Sequence, residues 1–300
     1  MTETSLRAPY RGRFAPTPSG PLHLGSLLTA LASWLAARNA GGRWLLRIDD
    51  LDRARCPKGT DAQILRQLEA HGLHWDEAPR YQTQHVAEYR DAFDRLEREG
   101  RLYGCACSRA VLKASSAEGP DGPVYPGTCR DAATGGRASR RVRIDGGELC
   151  FDDAGQGRHC RQLATEVGDF VVRRADGQYA YQLACAVDEG AQGITDVVRG
   201  ADLLGSTFRQ LWLMRALGLP APRYRHLPVL ADGRGRKLSK QNHAPAVAGG
   251  SAAANLRRCL RLLHQEDVDA EAPADIVRAA ALQWDAARVS RTAQIGDLPL

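Results

Sequence analysis

Apolar and polar positions follow two rhythms along the first hundred residues of this 300-residue chain. Arg11 to Ala15 reads as a short strand ending in a Pro/Gly-rich turn, PTPSGPLHLG. From Ser26 to Arg38 the pattern LLxxLxxWLAAR has the spacing of a helix. Gly41 and Gly42 stop it, and Arg43-Trp44-Leu45-Leu46-Arg47-Ile48 follows as a second, buried strand. Thr60, with Gln63 three residues on, has the form of a capping box and predicts a helix to about Ala70. Another helix is predicted from about Gln84 to Glu99. Strands alternating with helices in this way predict an α/β domain on a parallel sheet.

The rhythm breaks at Tyr103. The next sixty or so residues, rich in Gly, Ser, Asp and Cys, read as an insertion. A hairpin is predicted from Phe170-Val171-Val172-Arg173 and Gln178-Tyr179-Ala180 around Asp176-Gly177. Helix and strand signals then continue to about Leu230. A basic Gly-rich loop leads into Lys237-Leu238-Ser239-Lys240, and a Gly/Ala/Ser linker, Ala246 to Ala254, precedes a helical tail with Leu256, Leu260 and Leu263 on one face. The expected division is 1–104 and 166–235 as two halves of one catalytic domain. Residues 105–165 form the insertion between them, and 236–300 carry the lysine loop and the helical tail.

Composition narrows the function classes. Hydrophobic residues are 43% and charged residues 25%, as in ordinary folded cytosolic proteins. No run approaches the ~20 apolar residues that cross a bilayer, and Met1 to Tyr10 lacks a signal-peptide core. The expectation is a cytoplasmic, monomeric protein with no membrane partner. Eight cysteines in a chain this long do not suggest a disulfide framework. Cys56, Cys150, Cys160, Cys185 and Cys259 read as packing residues. The net charge of +6 permits a polyanionic partner without requiring one. Almost every basic residue is arginine, yet two of the only four lysines, Lys237 and Lys240, share one short loop.

Three constellations carry candidate chemistry. Arg13-Phe14-Ala15-Pro16-Thr17-Pro18-Ser19-Gly20-Pro21-Leu22-His23-Leu24-Gly25-Ser26 lies between a strand and a helix, where free N–H groups and the helix dipole attract anions. His23 can donate to a phosphate there; a turn with an incidental histidine is the alternative. Lys237 and Lys240 offer two ammonium groups to a triphosphate, or merely line a solvated loop. Cys105, Cys107 and Cys129 cluster as soft thiolates suited to tetrahedral zinc, or as buried free thiols.

Taken together, HLGS and KLSK in this order resemble the HIGH and KMSKS signatures of class I aminoacyl-tRNA synthetases. RFAPTPSGPLHLGSL, Arg47-Ile48-Asp49-Asp50-Leu51-Asp52-Arg53-Ala54-Arg55 and Val198-Arg199-Gly200-Ala201-Asp202-Leu203 resemble the glutamyl branch, with Asp49 where that branch has glutamate. KLSKQNHAP, and a short stretch after it in place of a long anticodon-binding region, resemble the short glutamyl-queuosine tRNA(Asp) synthetase family. The resemblance implies a class I synthetase fold: a Rossmann-type parallel sheet, a zinc-binding insertion and a small helical C-terminal region. It implies ATP-dependent activation of L-glutamate without tRNA, then transfer to queuosine of tRNA(Asp).

Site roles follow from the same resemblance. Arg13 and Arg199 face the glutamate side-chain carboxylate, Tyr181 adds a hydroxyl, and Phe14, Ala15, Pro16 and Thr17 border the pocket. Asp49 meets the ammonium group. His23, Gly25, Ser26, Lys237 and Lys240 face ATP, which brings Mg2+, and His23 with Lys240 stabilises the transition state. One structural zinc takes Cys105, Cys107 and Cys129, with Tyr125 as fourth ligand. The alternatives are a truncated glutamyl-tRNA synthetase charging a 3′ end, a non-catalytic tRNA- or glutamate-binding paralogue, and a nucleotidyltransferase of related fold.

Overall fold

The computed structural model describes residues 8–132, 138–231, 237–238 and 245–296. Strand β1 (Arg11–Phe14) leads through the HLGS turn into α1 (Leu24–Asn39) and back to β2 (Arg43–Ile48), which pairs parallel with β1. Gly42 makes this return possible. It lies so close to Tyr10 that a Cβ would fall 2.4 Å from the Tyr10 carbonyl oxygen. α2 (Thr60–Ala70), β3 (Arg80–Tyr81) and α3 (Val86–Arg98) follow. Thr60 is not the cap of α2. Gly59 holds that position with φ 81°, and Thr60 is buried as the first helical residue.

The middle of the chain is built from short strands. β4 (Leu102–Cys105), α4 (Arg109–Ser115) and the hairpin β5 (Ala117–Gly119) and β6 (Gly122–Val124) come first. β7 (Ser139–Val142), β8 (Glu148–Asp153), β9 (Gly157–Gln162) and β10 (Val171–Arg173) follow. β4, β7 and β10 form a small antiparallel sheet with β7 in the centre. The turn expected at Asp176-Gly177 is present, with Arg174 N–H donating to Gln178 O at 2.8 Å and one bridge between Arg173 and Tyr179. β8 and β9 instead join the edge of the main sheet. There Cys150 and Cys160 stand directly opposite and form a disulfide, which corrects their reading as separate packing residues. The turn between β8 and β9 sets the register that brings them together.

α5 (Tyr181–Ala191), β11 (Asp196–Gly200), α6 (Leu204–Leu217), β12 (Arg223–Leu227), β13 (Val229–Ala231), α7 (Ala252–Leu262), α8 (Pro273–Leu282) and β14 (Gln294–Gly296) complete the chain. The main sheet has the order β3-β2-β1-β11-β12-β8-β9 and is parallel except for β8 with β9. α1, α2, α7 and α8 share one core with Phe14, Trp44, Leu46 and Ile48. α3, α5 and α6 share a second core with residues of the small sheet. The helical tail is therefore packed on α1 rather than separated from it. Its supposed linker is tied down too: Val247 N–H donates to Leu22 O at 2.9 Å, and α7 begins inside it at Ala252. Leu256, Leu260 and Leu263 are buried, as their spacing predicts.

Candidate active site

From β1 the chain builds outward to β2 and β3 on one side, and later to β11 and β12 on the other. The strand order thus reverses between β1 and β11, and in open α/β sheets a crevice forms there at the carboxyl ends of the strands. A cleft of about 340 Å³ lies at that place. Its walls include Arg13, Phe14, Ala15, Pro16 and Thr17 from the end of β1 and the turn after it. Arg199 at the end of β11 and Tyr181 at the start of α5 face the same space. His23, Gly25, Ser26 and Lys237 line it as well. Lys240 lies outside the described residues.

One end of the cleft rests on buried charge. Alternation along β1 and β2 sends Phe14, Trp44, Leu46 and Ile48 to the α1 face, and sends Arg13 and Arg47 toward α5. Arg13 Nε donates to Glu189 Oε1 at 3.0 Å, and Arg47 Nη1 lies 3.4 Å from the same oxygen. Burial disfavours charge on Glu189, but Arg13 and Arg47 outweigh it and hold the carboxyl below its ordinary value. Asp188, one residue before, accepts from Arg80, Gln82 and Tyr89 at 2.8 Å each. Asp49 is turned into this network: Arg47 Nε donates to its Oδ1 at 2.7 Å, and it is not on the cleft wall. Burial raises its carboxyl further than Arg47 lowers it.

Arg199 is held from several directions. It donates to Gln210 Oε1 and Thr207 Oγ1 at 2.8 Å and to His226 Nε2 at 3.0 Å. Burial lowers His226 below the ordinary imidazole value, more than its bond with Asp153 raises it, so the ring is neutral. Burial alone would raise Asp153, yet hydrogen bonds from the His226 ring and backbone hold its carboxyl well below the usual range. Asp188, Glu189, Asp153, Gln210 and His226 escaped the sequence reading. Glu189 meets Arg13 across 176 residues, Asp188 meets Tyr89 across 99 and Asp153 meets His226 across 73, and on their own helices and strands they look like ordinary polar positions.

The other end carries donors at the surface. His23 is the N-cap of α1, and its Nδ1 accepts from Ser26 N–H at 3.3 Å, which puts the ring proton on Nε2. Gly25 leaves room for that ring: a Cβ there would sit 3.2 Å from it. Gln67 of α2 braces the turn, accepting from Leu22 N–H at 2.8 Å and donating to Val247 O at 2.8 Å. Lys237 is ion-paired with Asp202, and both are well exposed. Arg257 of α7 donates to Asp267 Oδ1, Val268 O and Ala270 O.

Cys105, Cys107 and Cys129 converge at the end of β4, their Sγ atoms all within 4.8 Å of one another. Cys107 and Cys129 Sγ are 3.5 Å apart, and Tyr125 Oη lies 3.5 Å from Cys105 Sγ and 3.7 Å from Cys107 Sγ. Tetrahedral zinc with bonds of ~2.3 Å to three sulfurs and ~2.0–2.2 Å to one oxygen has ligand–ligand edges of about 3.5–3.8 Å. The donor set therefore fits such an ion. Burial raises the Cys105 thiol, but hydrogen bonding with Tyr125 and Arg141 outweighs it and leaves it at about 7. Burial and the neighbouring thiols push the Tyr125 phenol far up. Cys129 N–H also donates to Tyr125 Oη at 2.8 Å, and Arg141 sits 3.9 Å from the ring centroid.

Residues 10–254 match the family model for the catalytic domain of class I tRNA synthetases (E and Q). The chain is 49% identical over 297 residues to a glutamyl-Q tRNA(Asp) synthetase of Dechloromonas aromatica, covering 97% of this chain and 99% of that one. A protein of the same name from Chromobacterium violaceum is 50% identical over 283 residues, covering 93% and 95%. Among solved structures, glutamate-tRNA synthetase of Elizabethkingia anophelis superposes with a TM-score of 0.79 at 23% identity, over 95% of this chain and 67% of that one. A glutamate tRNA ligase of Elizabethkingia meningosepticum in complex with its amino acid gives 0.80 at 22%, over 97% and 67%. At such identities the structures speak for the shared fold alone.

Proposed function

Because the chain belongs to the class I tRNA synthetases of the glutamyl and glutaminyl type, within the glutamyl-Q tRNA(Asp) synthetase family, we propose that it activates L-glutamate with ATP and transfers it to queuosine in tRNA(Asp). The observation that carries this reading is the cleft at the strand-order reversal, with Arg13 and Arg199 at one end and His23 and Lys237 at the other. Two buried guanidiniums select a carboxylate by geometry as well as by charge. Tyr181 adds a hydroxyl beside them.

The glutamate α-carboxylate attacks the α-phosphorus of ATP and pyrophosphate leaves. The nucleophile is already anionic, so positioning and charge stabilisation suffice. His23 Nε2–H and the two lysines meet the phosphates, which Mg2+ accompanies as counter-ion. Asp49, paired with Arg47, acts on the substrate ammonium by its charge at a distance rather than by direct contact. A hydroxyl of the modified base then attacks the adenylate carbonyl carbon, the acyl–phosphate bond breaks, and AMP leaves as its phosphate takes up the hydroxyl proton. Cys105, Cys107, Cys129 and Tyr125 hold one structural zinc that cross-links the end of β4 to the segment after β6 and takes no part in the chemistry.

Pyrophosphate exchange with each amino acid, with and without tRNA, tests the first half; exchange with glutamate alone is the expected result. Labelled glutamate offered to tRNA(Asp) with or without queuosine, its 3′ end intact or periodate-oxidised, tests the second. Transfer that needs queuosine and ignores the 3′ end supports the reading. Transfer to the 3′ ribose of tRNA(Glu) alone would replace it with a truncated glutamyl-tRNA synthetase. Elemental analysis should find one zinc per chain, and its absence from metal-replete protein would remove the zinc assignment.

A further inference from the structure

Arg199 does not fix its own direction. Its Nε–H donates to His226 Nε2 at 3.0 Å, and Nε2 can accept only when the ring proton sits on Nδ1. That proton goes to Asp153 Oδ2, 2.6 Å from Nδ1. Asp153 is itself locked at the end of β8: its Oδ1 accepts from the Gly155 and Gln156 backbones at 2.8 Å and from His226 N at 3.0 Å. The Asp153 and His226 side chains are both 0% exposed, and Arg199 is 4% exposed. Arg199 and His226 are paired neighbours on β11 and β12, so the contact follows from sheet register.

We propose that Asp153 and His226 are positioning residues for glutamate selection: the carboxylate fixes the imidazole tautomer, and the imidazole aims Arg199 into the cleft. The inference rests on the reading of Arg199 as the partner of the substrate side-chain carboxylate. It makes β8, a strand of the apparent insertion, part of the specificity apparatus. A side chain that only fills space would be replaceable by any group of the same shape. A relay of this kind is sensitive to which atom carries the proton.

The test is pyrophosphate exchange with glutamate and with glutamine, alongside ATP KM and thermal melting, for D153N, H226Q, H226L, D153N/H226Q and R199K. In D153N the amide N–H meets Nδ1, the proton moves to Nε2, and a donor then faces the Arg199 donor. Glutamate KM should rise about tenfold or more, the preference for glutamate over glutamine should fall in step, and ATP KM should stay near its wild-type value. H226L should do the same. H226Q keeps an oxygen acceptor for Arg199, so it should resemble the wild type and should also rescue D153N in the double variant. Unchanged glutamate KM in both D153N and H226L, or an equal rise in ATP KM, overturns the relay. So does an H226Q that behaves like H226L, a comparison that remains even if D153N does not fold. R199K separates the two levels. Normal glutamate KM in R199K sinks the reading of Arg199 itself, whereas a large rise beside a silent D153N sinks only the relay.

Discussion

The two ends of the cleft are built on opposite plans. At the end proposed for glutamate, Arg13 and Arg199 are each 4% exposed and held by protein partners. At the end proposed for the phosphates, Lys237 is exposed and paired with an exposed aspartate, while His23 sits on a helix N-terminus. The difference suits the ligands proposed for the two ends. A small amino acid must be distinguished from near neighbours, and fixed forks do that without reorganising. A triphosphate announces itself by charge, which helix termini and flexible ammonium groups can meet at the surface.

The sharpest way to break this contrast is at Glu189. Glu189→Gln leaves Arg13 and Arg47 without their shared carboxylate, and such a loss in a buried network costs about 3–5 kcal/mol. Urea denaturation should show it, and a change below about 1 kcal/mol would mean the network does not hold the glutamate end. His23→Ala should slow adenylate formation about a hundredfold, near 3 kcal/mol of barrier, while glutamate KM stays normal. A matching rise in glutamate KM would show that the two ends are not independent.

Acid should act through two buried histidines: His226 behind Arg199, and His71 at the end of α2, its Nδ1 2.6 Å from Gln67 O. Burial depresses His71 and His226 below the ordinary value of 6.5, so the unfolded chain takes up their protons first as pH falls. Their contribution is complete above that value and is lost as pH drops through it toward the folded values. Melting temperature should therefore fall between pH 7 and 5, by less in His71→Gln; an identical pH profile for that variant would remove His71 from the account. The smallest effect is expected from Asp202→Ala. An exposed pair such as Asp202–Lys237 is worth under about 1 kcal/mol, so melting should scarcely move and any change should appear in ATP KM. A large loss of stability there would erase the contrast between the ends.

The phosphate end was legible because it is local. His23, Gly25 and Ser26 belong to one turn at the start of α1, and the sequence orders strand, turn and helix there without outside help. The thiol cluster was legible for a related reason, since Cys105 and Cys129 are only 24 residues apart with Cys107 between them. The glutamate end was legible only in part. Arg13 and Arg199 stood in motifs, but Asp49 was assigned a direct contact that its pairing with Arg47 withholds from the cleft wall. The Cys150–Cys160 pair could have been found: counted outward from the Ala154–Gln156 turn, the two cysteines face each other.

By itself the sequence determined what its short-range patterns encode: the β1–α1–β2 start, the HLGS turn, the thiol cluster and the buried face of α7. Tertiary structure alone decided how the guanidiniums are aimed. Glu189 reaches Arg13 across 176 residues and Asp153 reaches His226 across 73, so neither pairing leaves a trace in local periodicity. Charges of this kind are tolerable in the interior only when each finds its partner: α5 brings Glu189 to Arg13, and the sheet order brings β11 beside β12 and β12 beside β8.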